Sequence, residues 1–132
     1  MGEWGIKTFE NDDAADWLYD LEESEDLSVI EDTLEIAGSE YLEATEGCEI
    51  LAASEIILAL MGNKRKNLPD NAKEWVSNNK NLNPTKLKKK AIKAIDKVLS
   101  KDSELNELWQ ESKKYKTWRE NVEQLKSDLE KA

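Results

Sequence analysis

This 132-residue chain predicts an all-α fold, a single-domain bundle of about six to seven helices, and three observations support that prediction. Apolar residues recur at three- and four-residue intervals almost from end to end. Runs of β-branched residues are absent. Helix-breaking punctuation is sparse, with two prolines and five glycines. The length fits one domain, residues 1–132, and a chain of this size buries roughly two-thirds of its unfolded surface, enough to fold without staples.

Ala14, Trp17, Leu18 and Leu21 keep the helical rhythm in the first element, which Asn11, Asp12 or Asp13 can cap. With Asp13 as the cap, Asp16 falls at the third helical position, a carboxylate variant of the capping box. Leu27, Ile30, Leu34 and Ala37 form the second stripe, closed by Gly38. A third helix runs from about Glu46 to Met61 and stops at Gly62-Asn63. Its Ile50, Leu51, Ile57, Leu58 and Met61 leave little polar face, which puts it at the centre of the bundle.

After the loop NKRKNLP, Asp70 caps a short helix bearing Ala72, Trp75 and Val76. A second loop, NNKNLNP (78–84), leads to a helix with Pro84 in its first turn and Leu87, Ala91, Ile95, Val98 and Leu99 facing inward. Asp102 or Ser103 caps the next short element, which holds Leu105, Leu108 and Trp109. The last helix reads Tyr115, Trp118, Val122, Leu125 and Leu129, alternating three and four residues as a coiled-coil seam does.

Charge divides the chain. Residues 1–62 hold 18 Asp/Glu against Lys7 alone, a net −17, whereas residues 63–132 hold 18 Lys/Arg against 11 Asp/Glu, a net +7. The basic helices can pack beside the acidic ones and cancel part of this field, yet the chain keeps −10 for a partner to feel. Lys86, Lys89, Lys90, Lys93, Lys97 and Lys101 line one side of a helix, but the acidic total repels a nucleic-acid backbone and the stripe has no arginine for base contact. No nucleic acid is therefore expected as a partner.

The chain has no histidine, which removes the commonest general base and the usual zinc ligand. Cys48 is the single cysteine, has no partner for an intramolecular disulfide, and sits between Glu46 and Glu49, which disfavour a thiolate. Phosphate-cradling and nucleophile-elbow motifs are missing, as is the glycine turn of a calcium loop. No cofactor, no metal and no catalytic residue are expected, and the chain is not expected to be an enzyme. The longest apolar run, ILAASEIILALM (50–61), is too short to span a bilayer. With no secretory h-region at the start, the expected setting is the cytoplasm, away from membrane.

Four of the five tryptophans, Trp17, Trp75, Trp109 and Trp118, fall on apolar helix faces and read as core; Trp4 precedes the first helix. Trp4-Gly5, Phe9, Asn11-Asp12, Ala14 and Asp16-Trp17 spell W-G-x-x-x-F-x-N-D-x-A-x-D-W. With Tyr41-Leu42-Glu43-Ala44, Leu68-Pro69, Asp102-Ser103-Glu104-Leu105, Leu108-Trp109 and Tyr115 to Trp118, this pattern resembles a bacterial family known as domain of unknown function 4259. The resemblance implies a small stand-alone cytoplasmic protein and transfers no catalytic residue. Physically the motif reads as a clamp: Trp4 and Phe9 plug the bundle, Gly5 permits a tight turn, Asn11 or Asp12 caps the first helix, and Trp17 anchors its buried side.

The functional expectation is an acidic binding protein, an immunity or antitoxin-type inhibitor that covers a basic toxin, a nuclease being the fitting case because phosphate-binding sites are basic. Asp20, Glu22, Glu23, Glu25, Asp26 and Glu31 are the expected contacts, against the plainer reading of a solvated face. The alternatives are a carboxylate-based or metal-dependent hydrolase using acids such as Asp12, Asp16 and Asp20, or an interaction module for another partner. No pattern points to an oligomeric state.

Overall fold

The computed structural model describes residues 5–63 and 68–132. Among them the chain forms α1 (Asp12–Glu22), α2 (Ser28–Glu35), α3 (Ala44–Leu60), α4 (Asp70–Asn78), α5 (Lys88–Val98), α6 (Glu104–Gln110) and α7 (Tyr115–Lys131). Short 3₁₀ turns at Ile36–Gly38 and Thr85–Leu87 follow α2 and precede α5. The described residues contain no strand, only an isolated parallel bridge between Leu42 and Ser103.

α3 packs against each of the other six helices. Its sequence requires this. Every residue from Ile50 to Leu58 is buried, so no side of the helix is left for solvent and neighbours must surround it. The other helices each bury one stripe: Ala14, Trp17, Leu18 and Leu21 on α1; Ile30 and Leu34 on α2; Ala72 and Trp75 on α4; Ala91, Ala94, Ile95 and Val98 on α5; Trp118, Val122, Leu125 and Leu129 on α7. These belong to one contiguous apolar cluster. Trp109 and Trp118 stack with centroids 5.6 Å apart and planes 8° from parallel, locking α6 to α7.

The caps differ from the sequence expectation in instructive places. Asn11, not Asp13, caps α1, its Oδ1 accepting from the Ala14 N–H at 2.8 Å. Asp12 and Asp13 are thereby moved into the first turn, where carboxylates suit the positive helix end, and Asp16 makes no capping box. α3 starts two residues earlier than expected, with the Glu46 carboxylate accepting from the Glu43 N–H at 2.9 Å. Pro69 occupies the N-cap of α4, so Asp70 is its first helical residue. Ser103 caps α6, accepting from the Asn106 N–H at 3.3 Å. Gly38 closes the turn after α2 with φ in the ordinary range, whereas Gly62 ends α3 at φ 94°, a backbone state that suits glycine.

Two segments that carry the family resemblance meet in space. Leu42 N–H donates to Asp102 O and Glu104 N–H to Leu42 O, both at 2.8 Å. The Glu104 carboxylate then accepts from the Ala44 N–H at the start of α3, and Tyr41 Oη donates to Glu107. The beginnings of α3 and α6 are thus tied together, which explains both motifs as architecture.

No helix among the described residues is long and apolar enough to cross a membrane.

Candidate functional site

The N-terminal motif builds a strap. Asn11 Nδ2 donates back to Thr8 O while its Oδ1 caps α1, and Asn121 Nδ2 on α7 donates to Ile6 O. Thr8 Oγ1 donates to the carboxylate of Glu55 at 2.7 Å, and both residues are buried. Ile6 and Phe9 pack against the apolar cluster. Trp4, the other aromatic of the expected plug, lies outside the described residues. Gly5 closes the turn, its N–H donating to Glu10 O, but its φ is ordinary, so left-handed backbone is not its reason to be glycine; a Cβ there would meet the Glu10 carboxylate. Trp17 anchors α1 as expected, buried with its Nε1 donating to Thr33 Oγ1 at 2.8 Å. Beneath the strap, a cavity of about 10 Å³ touches Thr8, Cys48, Leu51, Trp109 and Trp118, room for about one water and for no substrate.

The six expected contact acids meet different fates. Asp26 is occupied in the turn between α1 and α2: its Oδ1 accepts from Ser28 Oγ at 2.6 Å and from the Ser28 N–H at 3.0 Å, and these bonds hold its carboxyl below the usual range. Glu31 is taken by the basic half of the chain. Lys90 on α5 reaches Glu31 and Glu35 at 3.2 Å each, and these bonds push the lysine upward. Glu22 ends α1 and lines a surface groove with Asn71, Glu74, Trp75 and Asn78 of α4. Asp20, Glu23 and Glu25 are exposed and carry no ion pair among the described residues. The lysine stripe is likewise divided: Lys90 pairs with Glu31 and Glu35 of α2 and Lys97 donates to Glu40 O, while Lys86, Lys89, Lys93 and Lys101 remain exposed.

A second acidic strip runs along the seam of α1 and α3, and the sequence reading missed it. Glu49 is half-buried there, and burial, then Asp13, Glu46 and Asp20, raise its carboxyl above the ordinary value. Thr45 Oγ1 donates to Asp13 across the seam at 3.3 Å. The i, i+3 spacing of Glu46 and Glu49 was readable, but not which helix would lie against them. Groove residues Asn71, Glu74 and Asn78 were readable as one face of α4 in the same limited sense.

Catalytic candidates fare differently. Asp12, Asp16 and Asp20 lie exposed along one side of α1 and line neither of the two cavities above. Cys48 is buried, and burial, with Asp13 and Glu49, pushes its thiol up to about 12, so it stays protonated near neutral pH. No group of three or more metal-ligating side chains converges among the described residues.

Comparison with known proteins finds no match among curated proteins or solved structures. Residues 2–121, most of the chain, match the family described as Domain of unknown function (DUF4259), and the protein belongs to that family.

Proposed function

We propose that this chain is an acidic binding protein of the bacterial cytoplasm, an immunity or antitoxin-type inhibitor that covers the basic surface of a toxin, a nuclease being the best fit. One observation carries the reading. Lys90 of α5 pairs with Glu31 and Glu35 of α2, whereas Asp20, Glu23 and Glu25 at the end of α1 and in the turn after it stay exposed without an ion pair among the described residues. Asp20 and Glu23 sit on the last turn and C-cap of a helix anchored by the buried Trp17, so these charges are held in place before any partner arrives, with Glu25 in the turn that follows. A preorganised negative face speeds the encounter with a basic surface and loses little entropy on docking. Glu22 extends that face, whereas Asp26 and Glu31 contribute field more than contact, being engaged internally.

The test is a variant with Asp20, Glu23 and Glu25 changed to lysine, expressed beside a basic nuclease toxin encoded by a neighbouring gene. Protection and capture of the nuclease are expected to fall while the circular dichroism spectrum keeps its helical shape. Full protection by the folded variant would remove these residues from the interface.

A further inference from the structure

We propose that the groove between α1 and α4 is a pocket for one arginine side chain of a basic protein partner, a proposal that rests on the binding reading above and assigns that partner's anchor. The groove is a surface concavity of about 290 Å³ open to solvent, with room for one side chain. Its lining is Glu22 from α1 and Asn71, Glu74, Trp75 and Asn78 from one face of α4. Glu22 and Glu74 are both exposed at its rim and carry no ion pair among the described residues.

The chemistry of the lining selects its occupant. Two carboxylates and two amide carbonyls supply acceptors. The indole N–H of Trp75 is already given to Ser24 O at 2.8 Å, which leaves the Asn71 and Asn78 amides as the only side-chain donors beside two carboxylates that repel an anion. That bond also fixes the ring in the wall, so the groove is preformed. An acceptor-rich concavity, its one aromatic lining residue Trp75 being 5% exposed, matches guanidinium through its acceptors, because guanidinium carries five N–H donors in a planar fork and no acceptor. It bonds carboxylates in pairs, which a lysine ammonium does not do as well.

Nuclear magnetic resonance on the full chain tests this with a blocked Gly-Arg-Gly peptide as probe and Gly-Lys-Gly as its control, observing the Trp75 indole and the Asn71 and Asn78 side-chain amides. The arginine peptide is expected to shift all three saturably. The lysine peptide should bind about tenfold more weakly, and Glu22→Gln with Glu74→Gln should abolish the response. Both glutamates are exposed, so the double variant keeps its core. Absence of a saturable shift, equal response to both peptides, or an undiminished response in the double variant would overturn the pocket. The outcomes also separate the two readings. A silent groove alongside loss of nuclease capture in the α1 variant refutes the pocket alone. Arginine binding without nuclease capture refutes the inhibitor reading and leaves the pocket standing.

Discussion

Replacing Gly47 by alanine sets two effects of known size against each other. Gly47 lies in the first turns of α3, where it faces Leu105 of α6. A Cβ added there would stand 3.1 Å from Leu105 Cδ2 and 3.2 Å from its Cβ. In an open helix alanine gains about 0.8–1.0 kcal/mol over glycine. Overpacking a filled core costs about 1–3 kcal/mol. Leu105 is 1% exposed, and its Cβ moves only with α6, whose start is tied to α3 through the Leu42–Ser103 bridge and the bond from Ala44 N–H to Glu104. Repulsion should therefore win, with a net loss of about 0–2 kcal/mol. Urea unfolding followed by far-ultraviolet circular dichroism reads the difference.

A second variant sharpens the case. Leu105→Ala alone should cost about 2–5 kcal/mol. In the Gly47→Ala background it should cost less, because the new methyl group moves into the vacated room, giving a coupling of about 0.5–3 kcal/mol. A Gly47→Ala protein stabilised by the full helix gain, or strictly additive effects in the double variant, would show that the close approach of α3 and α6 imposes no constraint.

Thr8→Val removes the hydroxyl that donates to buried Glu55 and should cost about 1–3 kcal/mol by urea midpoint, with Thr8→Ser restoring most of it. For Glu49 the folded carboxyl lies above its ordinary value of 4.5, so its contribution to stability is fully present below that pH and is lost as pH rises through the folded value. Glu49→Gln should accordingly raise the urea midpoint at pH 7, with the gain vanishing below 4.5; an equal gain at both would show that ionising a half-buried carboxyl beside Asp13, Glu46 and Asp20 is not the cause. Cys48, its thiol pushed up to about 12, should resist a maleimide reagent in the folded protein at pH 7 and react on unfolding; rapid labelling of the native chain would contradict its burial.

Much of the fold was legible because its signals are local. The three–four spacing marked all seven helices, and Trp17, Trp75, Trp109 and Trp118 are buried on the faces that spacing assigned them. The unbroken apolar character of Ile50 to Leu58 required a central helix, and α3 is central. Caps were legible only as short lists. Asn11, Asp12 and Asp13 can all accept at a helix N-cap, and the choice fell to Asn11, whose amide also reaches back to Thr8 O, a bond that a carboxylate has no proton to make.

What the chain determined by itself is the number of helices, the stripe each one buries, and a charge imbalance between its two halves. Only the tertiary structure decided which charges matter. Lys90 pairs with Glu31 and Glu35 from 59 and 55 residues away, and Glu22 finds its groove partners on a helix that begins at Asp70. Periodicity reports which way a side chain leaves its own helix, because backbone hydrogen bonding acts over one turn. Whether that side chain then meets a cation, an acid or solvent depends on the packing order of helices distant in sequence, which no local pattern records.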